Sequence, residues 1–141
     1  MAVVDASVVV DCIAPGADPV SPAFGVLRHL VRDGEEILAP RLLHVEVANA
    51  LLTGIRRRRW SGTDADAAHL LLRDLPLRIV DLEADVDRAW ELARRFDNHP
   101  MYDMLYVALA ERHTTTLITA DQALRRRLVG LDWIVAPAAF A

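Results

Sequence analysis

Ala2-Val3-Val4-Asp5-Ala6-Ser7-Val8-Val9-Val10 is a short apolar run that stops at a carboxylate and restarts at once as a helix. Its strand reading covers residues 3–5 and its helix reading 7–14. A strand this apolar is buried on both faces, as strands are in a parallel sheet. Working outward, comparable runs stand at 37–39, 77–80, 117–119 and 133–135. Helical patterns fill the intervals at 21–33, 41–59, 63–75, 84–97, 102–113 and 122–129. Short apolar strands alternating with helices predict an α/β domain whose sheet is covered on both faces. Two helices follow one another between 41 and 75, joined near Ser61-Gly62, with Thr63 as the expected N-cap of the second.

The 141 residues suit one domain, expected to span 1–141. A hydrophobic fraction of 53% excludes disorder. The single cysteine, Cys12, excludes an internal disulfide and a cysteine-based zinc site, and reads as a small core residue. No secretory leader pattern is visible, and no uncharged run reaches the roughly 18 residues of a membrane span. The expectation is a cytoplasmic protein with no membrane association. All 16 basic residues are arginine. Without lysine, neither a phosphate-binding loop nor Schiff-base chemistry is open to the chain. A net charge of −4 argues against a purely electrostatic nucleic-acid binder.

Four carboxylates occupy suggestive places. Asp5 and Asp121 each end a strand, where open α/β sheets hold ligands; each is also placed to cap the next helix. Glu46, Asn49 and Thr53 share one stripe of a helix that is otherwise apolar at Leu43, Val45, Val47, Ala48, Leu51, Leu52 and Ile55. A helix apolar on most sides is expected to be buried on most sides. The polar stripe then faces an internal cleft, or else forms one solvated seam. Asp103 heads the face that carries Val107 and Ala110, so it points inward or simply meets the helix dipole. Four carboxylates converging at one sheet edge repel one another and raise at least one pKa. A divalent cation relieves that repulsion, and an all-oxygen donor set suits Mg²⁺ or Mn²⁺ better than zinc.

Four segments carry these residues. They are Val3-Val4-Asp5-Ala6-Ser7, His44-Val45-Glu46-Val47-Ala48-Asn49-Ala50-Leu51, Tyr102-Asp103-Met104-Leu105-Tyr106-Val107-Ala108-Leu109-Ala110 and Leu117-Ile118-Thr119-Ala120-Asp121. In this order and spread they resemble the PIN-domain ribonucleases, most closely the VapC-type toxins of bacterial toxin–antitoxin pairs. The resemblance implies a three-layer PIN-like domain with a mostly parallel sheet of four to five strands, in the order 3-2-1-4-5, flanked by helices. It implies that Asp5, Glu46, Asp103 and Asp121 are catalytic, with Asp5, Asp103 and Asp121 binding Mg²⁺ or Mn²⁺. Ser7, Asn49 and Thr119 match supporting positions. It further implies an RNA substrate, a homodimer and an antitoxin partner. Many relatives carry another acid shortly after the last one; here Gln122, Ala123 and Leu124 follow, so the resemblance does not extend to a tightly held second metal.

The expected activity is metal-dependent endoribonuclease cleavage of single-stranded or loop RNA, leaving 5′-phosphate and 3′-hydroxyl ends. The expected inhibitor is an antitoxin whose flexible, arginine-bearing tail enters the acidic cleft. Two other classes compete. A degenerate PIN-like interaction module would not need all four acids. An aspartyl-phosphate phosphatase, resembling the haloacid-dehalogenase family, would want an Asp where Ser7 stands and a lysine besides.

The runs Arg56–Arg59 and Arg125–Arg127 can grip phosphates or favour helix C-termini, but consecutive helical residues do not share a face. Trp60 either stacks a base or packs the helix end, and His99 either reaches the cleft edge or is a loop histidine without a role; the second reading is the expectation for each. Tyr102 and Tyr106 read as packing residues. Asp11, Asp64, Asp66, Asp85 and Asp87 read as solvated helix charges.

Overall fold

A computed structural model describes residues 1–140. The elements run β1 (Ala2–Val4), α1 (Ala6–Ile13), α2 (Pro22–Arg32), β2 (Ile37–Pro40), α3 (Leu42–Arg56), α4 (Gly62–Asp74) and β3 (Leu77–Val80). They continue α5 (Glu83–Arg95), α6 (Met101–Arg112), β4 (Leu117–Ile118), α7 (Gln122–Arg127), β5 (Ile134–Val135) and α8 (Pro137–Phe140). The sheet has five strands in the order β3-β2-β1-β4-β5, and every pairing is parallel. Helices flank it, as the resemblance implies. Val3 sits at its centre, in register with Leu38 on one side and Leu117 on the other. All of β1 is fully buried, which explains why it carries no polar alternation.

α6 packs across β1, β2 and β4, and α5 packs on α6. α1 packs with α2, α3 and α4. Because β1 and β4 are neighbours, the loops that follow them meet at one sheet edge. α2 begins where Ser21 accepts a hydrogen bond from the Phe24 amide and Pro22 takes the first turn.

Several expectations are corrected. α4 is capped by Ser61, whose hydroxyl accepts from the Asp64 amide at 3.0 Å; Thr63 already lies within the first turn. α3 stops at Arg56, and Arg58 turns left-handed at φ 57°, so Arg57, Arg58 and Arg59 lie beyond the helix. α3 is buried only along Leu43, Val47, Leu51 and Gly54; Val45 and Leu52 are exposed at 57% and 51%. Those two residues lie on the outer side of a helix whose main packing partners are α1 and α4. Asp85 is not a solvated charge: it is buried, and Arg112 grips both of its oxygens at 2.7 and 2.9 Å. Trp60 packs as expected, its Nε1 donating to the Leu51 carbonyl at 2.9 Å and its ring filling the space above Gly54. A Cβ on Gly54 would lie 2.0 Å from the indole, so only glycine fits there.

Candidate active site

Asp5 follows β1 in extended backbone at the N-cap position of α1, yet its side chain makes no capping bond. It turns instead toward β4. Its Oδ2 accepts from Ser7 Oγ at 2.7 Å and from Thr119 Oγ1 at 2.7 Å. The two hydroxyls lie 3.4 Å apart. Ser7 Oγ also accepts from the Ala120 amide, and Thr119 Oγ1 from the Asp121 amide. This small network ties the β1 and β4 edges together and explains why Thr119, fully buried, is polar.

Glu46 reaches the same place from α3, half-buried. Tyr106, on α6 and 1% exposed, donates its hydroxyl to Glu46 Oε1 at 2.6 Å. Asp103 enters from the first turn of α6, half-buried, and its Oδ2 lies 2.6 Å from His99 Nε2. The three acids thus share one pattern. A protein group holds one oxygen of each, and no side-chain donor among the described residues reaches the other.

Burial pushes the Asp5 carboxyl above its ordinary range, against the pull of the Thr119 and Ser7 hydrogen bonds, and the Asp103 charge adds to the rise. Burial likewise raises Glu46, opposed by the Tyr106 hydrogen bond and reinforced by Asp5 and Asp103. Tyr106 is driven far upward by burial and by Glu46, so its hydroxyl stays a donor. These shifts couple Asp5, Glu46 and Asp103 as one set of charges.

Asp121 stands apart from that set. It is exposed, and its Oδ1 caps α7 by accepting from the Leu124 amide at 3.0 Å. Asn49 is exposed on α3. Three residues along a helix from Glu46, it is rotated about 60° off the Glu46 direction. Ser7 and Thr119 both hydrogen-bond Asp5 directly. From the sequence Tyr106 is expected only to pack, and for His99 reaching the cleft edge is the less favoured reading, yet both touch the acids.

None of the four acids has an arginine partner among the described residues; arginines pair instead with Asp33, Glu36, Asp81, Asp85, Glu91 and Glu111. Unbalanced carboxylates, each with a spare oxygen, fit a hard divalent cation. As the side chains stand, no three His, Cys, Asp or Glu groups among the described residues close around a common point. Mg²⁺ needs no such cage, because it keeps several waters and takes only one or two carboxylates. Beside Ala120 a groove of about 690 Å³ opens between the turn after α1 and α8, with Arg59, Gln122 and Arg125 in its wall.

Comparison with known proteins bears on the family and the fold. Residues 2–127 match the PIN domain. Ribonuclease VapC1 of Mycobacterium tuberculosis is 35% identical over 127 residues, covering 86% of each chain. The crystal structure of Mycobacterium tuberculosis VapC20, described as a Sarcin-Ricin loop cleaving toxin, aligns with a TM-score of 0.64 at 16% identity, over 95% of this chain and 98% of that one. VapBC2 from Rickettsia felis, bound to a DNA fragment from its promoter, also aligns at 0.64, with 15% identity and 96% of each chain covered. The chain therefore belongs to the PIN-domain family, among its VapC members.

Proposed function

We propose that the chain is a metal-dependent endoribonuclease and the toxin of a toxin–antitoxin pair, acting in the cytoplasm on single-stranded or loop RNA. The observation that carries this reading is the set Asp5, Glu46 and Asp103, each with one oxygen held by a side chain and the other reached by no side-chain donor, and without an arginine partner among the described residues. Asp5 and Asp103, with Asp121 at the rim, would hold Mg²⁺ or Mn²⁺. When bound there, the cation would supply an activated water and neutralise charge on the phosphodiester. Glu46 suits the proton transfer: burial raises its carboxyl, and its Oε2 is free to accept a proton from the attacking water. Ser7, Thr119 and Tyr106 fix the carboxylates before substrate arrives. Attack by the ribose 2′-hydroxyl would want a positioned base and acid. His99 is the only histidine touching the acids among the described residues, and its Nε2 is already engaged. The products therefore carry 5′-phosphate and 3′-hydroxyl ends.

The membership in the VapC group and the likeness to VapBC2, a toxin–antitoxin assembly, support an antitoxin partner. An arginine on a flexible tail of that partner would pair with the free carboxylate oxygens and compete with the cation. We also assign the chain to a homodimer. No helix among the described residues is long and apolar enough to cross a membrane.

The test is cleavage of defined RNA with Mg²⁺ or Mn²⁺, mapping both new ends by mass spectrometry. Asp5→Asn and Asp103→Asn should each abolish cleavage while circular dichroism shows the fold intact. Undiminished cleavage in excess EDTA, or 2′,3′-cyclic phosphate ends, would overturn the mechanism. Co-expression with the product of the neighbouring gene should relieve growth arrest; an arrest that no neighbour relieves would remove the toxin–antitoxin reading and leave the nuclease.

A further inference from the structure

His99 is the least expected residue at the acidic centre. It belongs to no helix or strand. It stands between α5 and α6, and the chain reaches it through two successive left-handed residues, Asp97 at φ 60° and Asn98 at φ 58°. Asp and Asn tolerate that region better than other non-glycine residues, but two in a row still carry a backbone cost. Local bonds hold the turn: Arg94 Nη1 donates to Asn98 Oδ1, and the His99 amide donates to the Ala93 carbonyl at 3.1 Å. Pro100 then starts α6 without a side-chain cap. The result is an imidazole 9% exposed, with Nε2 at 2.6 Å from Asp103 Oδ2.

The other ring nitrogen, Nδ1, is buried and has no partner among the described residues. An ionised carboxylate offers only acceptors, so Nε2 carries the donated hydrogen, and Nδ1 as a bare lone pair costs less than a buried unpaired N–H. A strained turn and an orphaned nitrogen are poor choices for packing alone. They are accounted for by the single hydrogen bond to Asp103. Asp5 has one oxygen held by Ser7 and Thr119, and Glu46 has one held by Tyr106; His99 completes the pattern for the third acid.

We propose that His99 is a positioning residue: it holds Oδ2 of Asp103 so that Oδ1 is presented to the divalent cation at the RNA-cleaving centre. This rests on the metal-dependent reading above. Groups that hydrogen-bond a metal's carboxylate ligands typically govern metal affinity or activity by about 10- to 100-fold.

The experiment uses the full chain and Mn²⁺ alone, with binding followed by loss of the free-ion electron paramagnetic resonance signal. His99→Phe keeps a ring and removes the donor; His99→Gln removes the ring and restores an N–H. The phenylalanine variant should bind Mn²⁺ about 10- to 100-fold more weakly. Its unfolding midpoint in EDTA should match or exceed that of the parent, since it also removes the orphaned Nδ1. At saturating Mn²⁺ its kcat on RNA should fall while KM stays within about twofold, and glutamine should recover most of the Mn²⁺ affinity. Mn²⁺ affinity unchanged in His99→Phe, or a loss of affinity matched by a lowered midpoint in EDTA that glutamine does not rescue, would overturn the inference. A parent chain that binds no Mn²⁺ would overturn the metal reading itself, and this inference with it.

Discussion

Asp5 is a carboxylate that the fold burdens and that a divalent cation would relieve. Burial raises its pKa in the folded chain above the unfolded value of about 3.9. A raised carboxyl binds more protons folded than unfolded. Its contribution to stability is therefore fully present below the unfolded pKa and is lost as pH rises through the folded one. In EDTA, the parent and Asp5→Asn should unfold at similar temperatures below about pH 3.9, and the parent should fall progressively behind as pH rises toward neutrality. A tenfold difference in proton affinity between the folded and unfolded chain corresponds to about 1.4 kcal/mol. Added Mg²⁺ should reverse the order at neutral pH by binding only the folded parent. Thermal melts across pH, with and without Mg²⁺, check this; a constant gap at all pH values would contradict it. Asp5, Glu46 and Asp103 were legible because an acid at a strand end, or heading an apolar helix face, is conspicuous. Tyr106 was not, and for His99 its place shortly before Asp103 was the single cue. The hydroxyl of Tyr106 meets a carboxylate 60 positions away, and His99 is aimed by two left-handed residues that leave no periodicity to read.

α5 and α6 are clasped by two arginine–carboxylate pairs of different depth. Arg112 grips Asp85, which is buried, and Arg88 grips Glu111, which is exposed, at 2.6 and 2.8 Å. Arg112→Ala strands a buried charge and should cost about 2 kcal/mol, less than the 3–5 typical of full burial because the arginine is itself partly solvated. Arg88→Ala should cost less than about 1 kcal/mol. Urea denaturation of the two variants compares them, and a double variant Asp85→Ala with Arg112→Ala should recover part of the larger loss. Since Asp103 rides on α6, loosening this clasp should also lower activity before the fold fails. At this scale the strands and the order of helices were legible from apolar runs and their spacing. The depth of Asp85 was not, because an acid in a first helical turn looks the same whether solvent or an arginine from the next helix faces it. Val45 and Leu52 misled for a related reason: hydropathy reports what a helix can bury, and α3 has packed partners on only part of its circumference.

Over the whole molecule, the acids gather near one sheet edge, and the groove beside it carries two arginines, Arg59 and Arg125, together with Asp11 and Asp18. If that groove carries the RNA backbone, Arg59→Ala and Arg125→Ala should each weaken binding across sequences. Measured on an Asp103→Asn background, each should reduce the slope of log affinity against log salt by about 0.7, the value for one single-strand phosphate contact. Unchanged slopes would place the RNA elsewhere. The parallel order has a further result, which concerns time. β1 is made first yet lies in the middle of the sheet, between β2 and β4. Asp5 receives its hydroxyl from Thr119, 114 positions later. A chain still emerging from the ribosome has no finished centre until that distant strand arrives beside the first. Translation therefore delays the appearance of activity, and a product cut short before β4 would be harmless to the cell that made it.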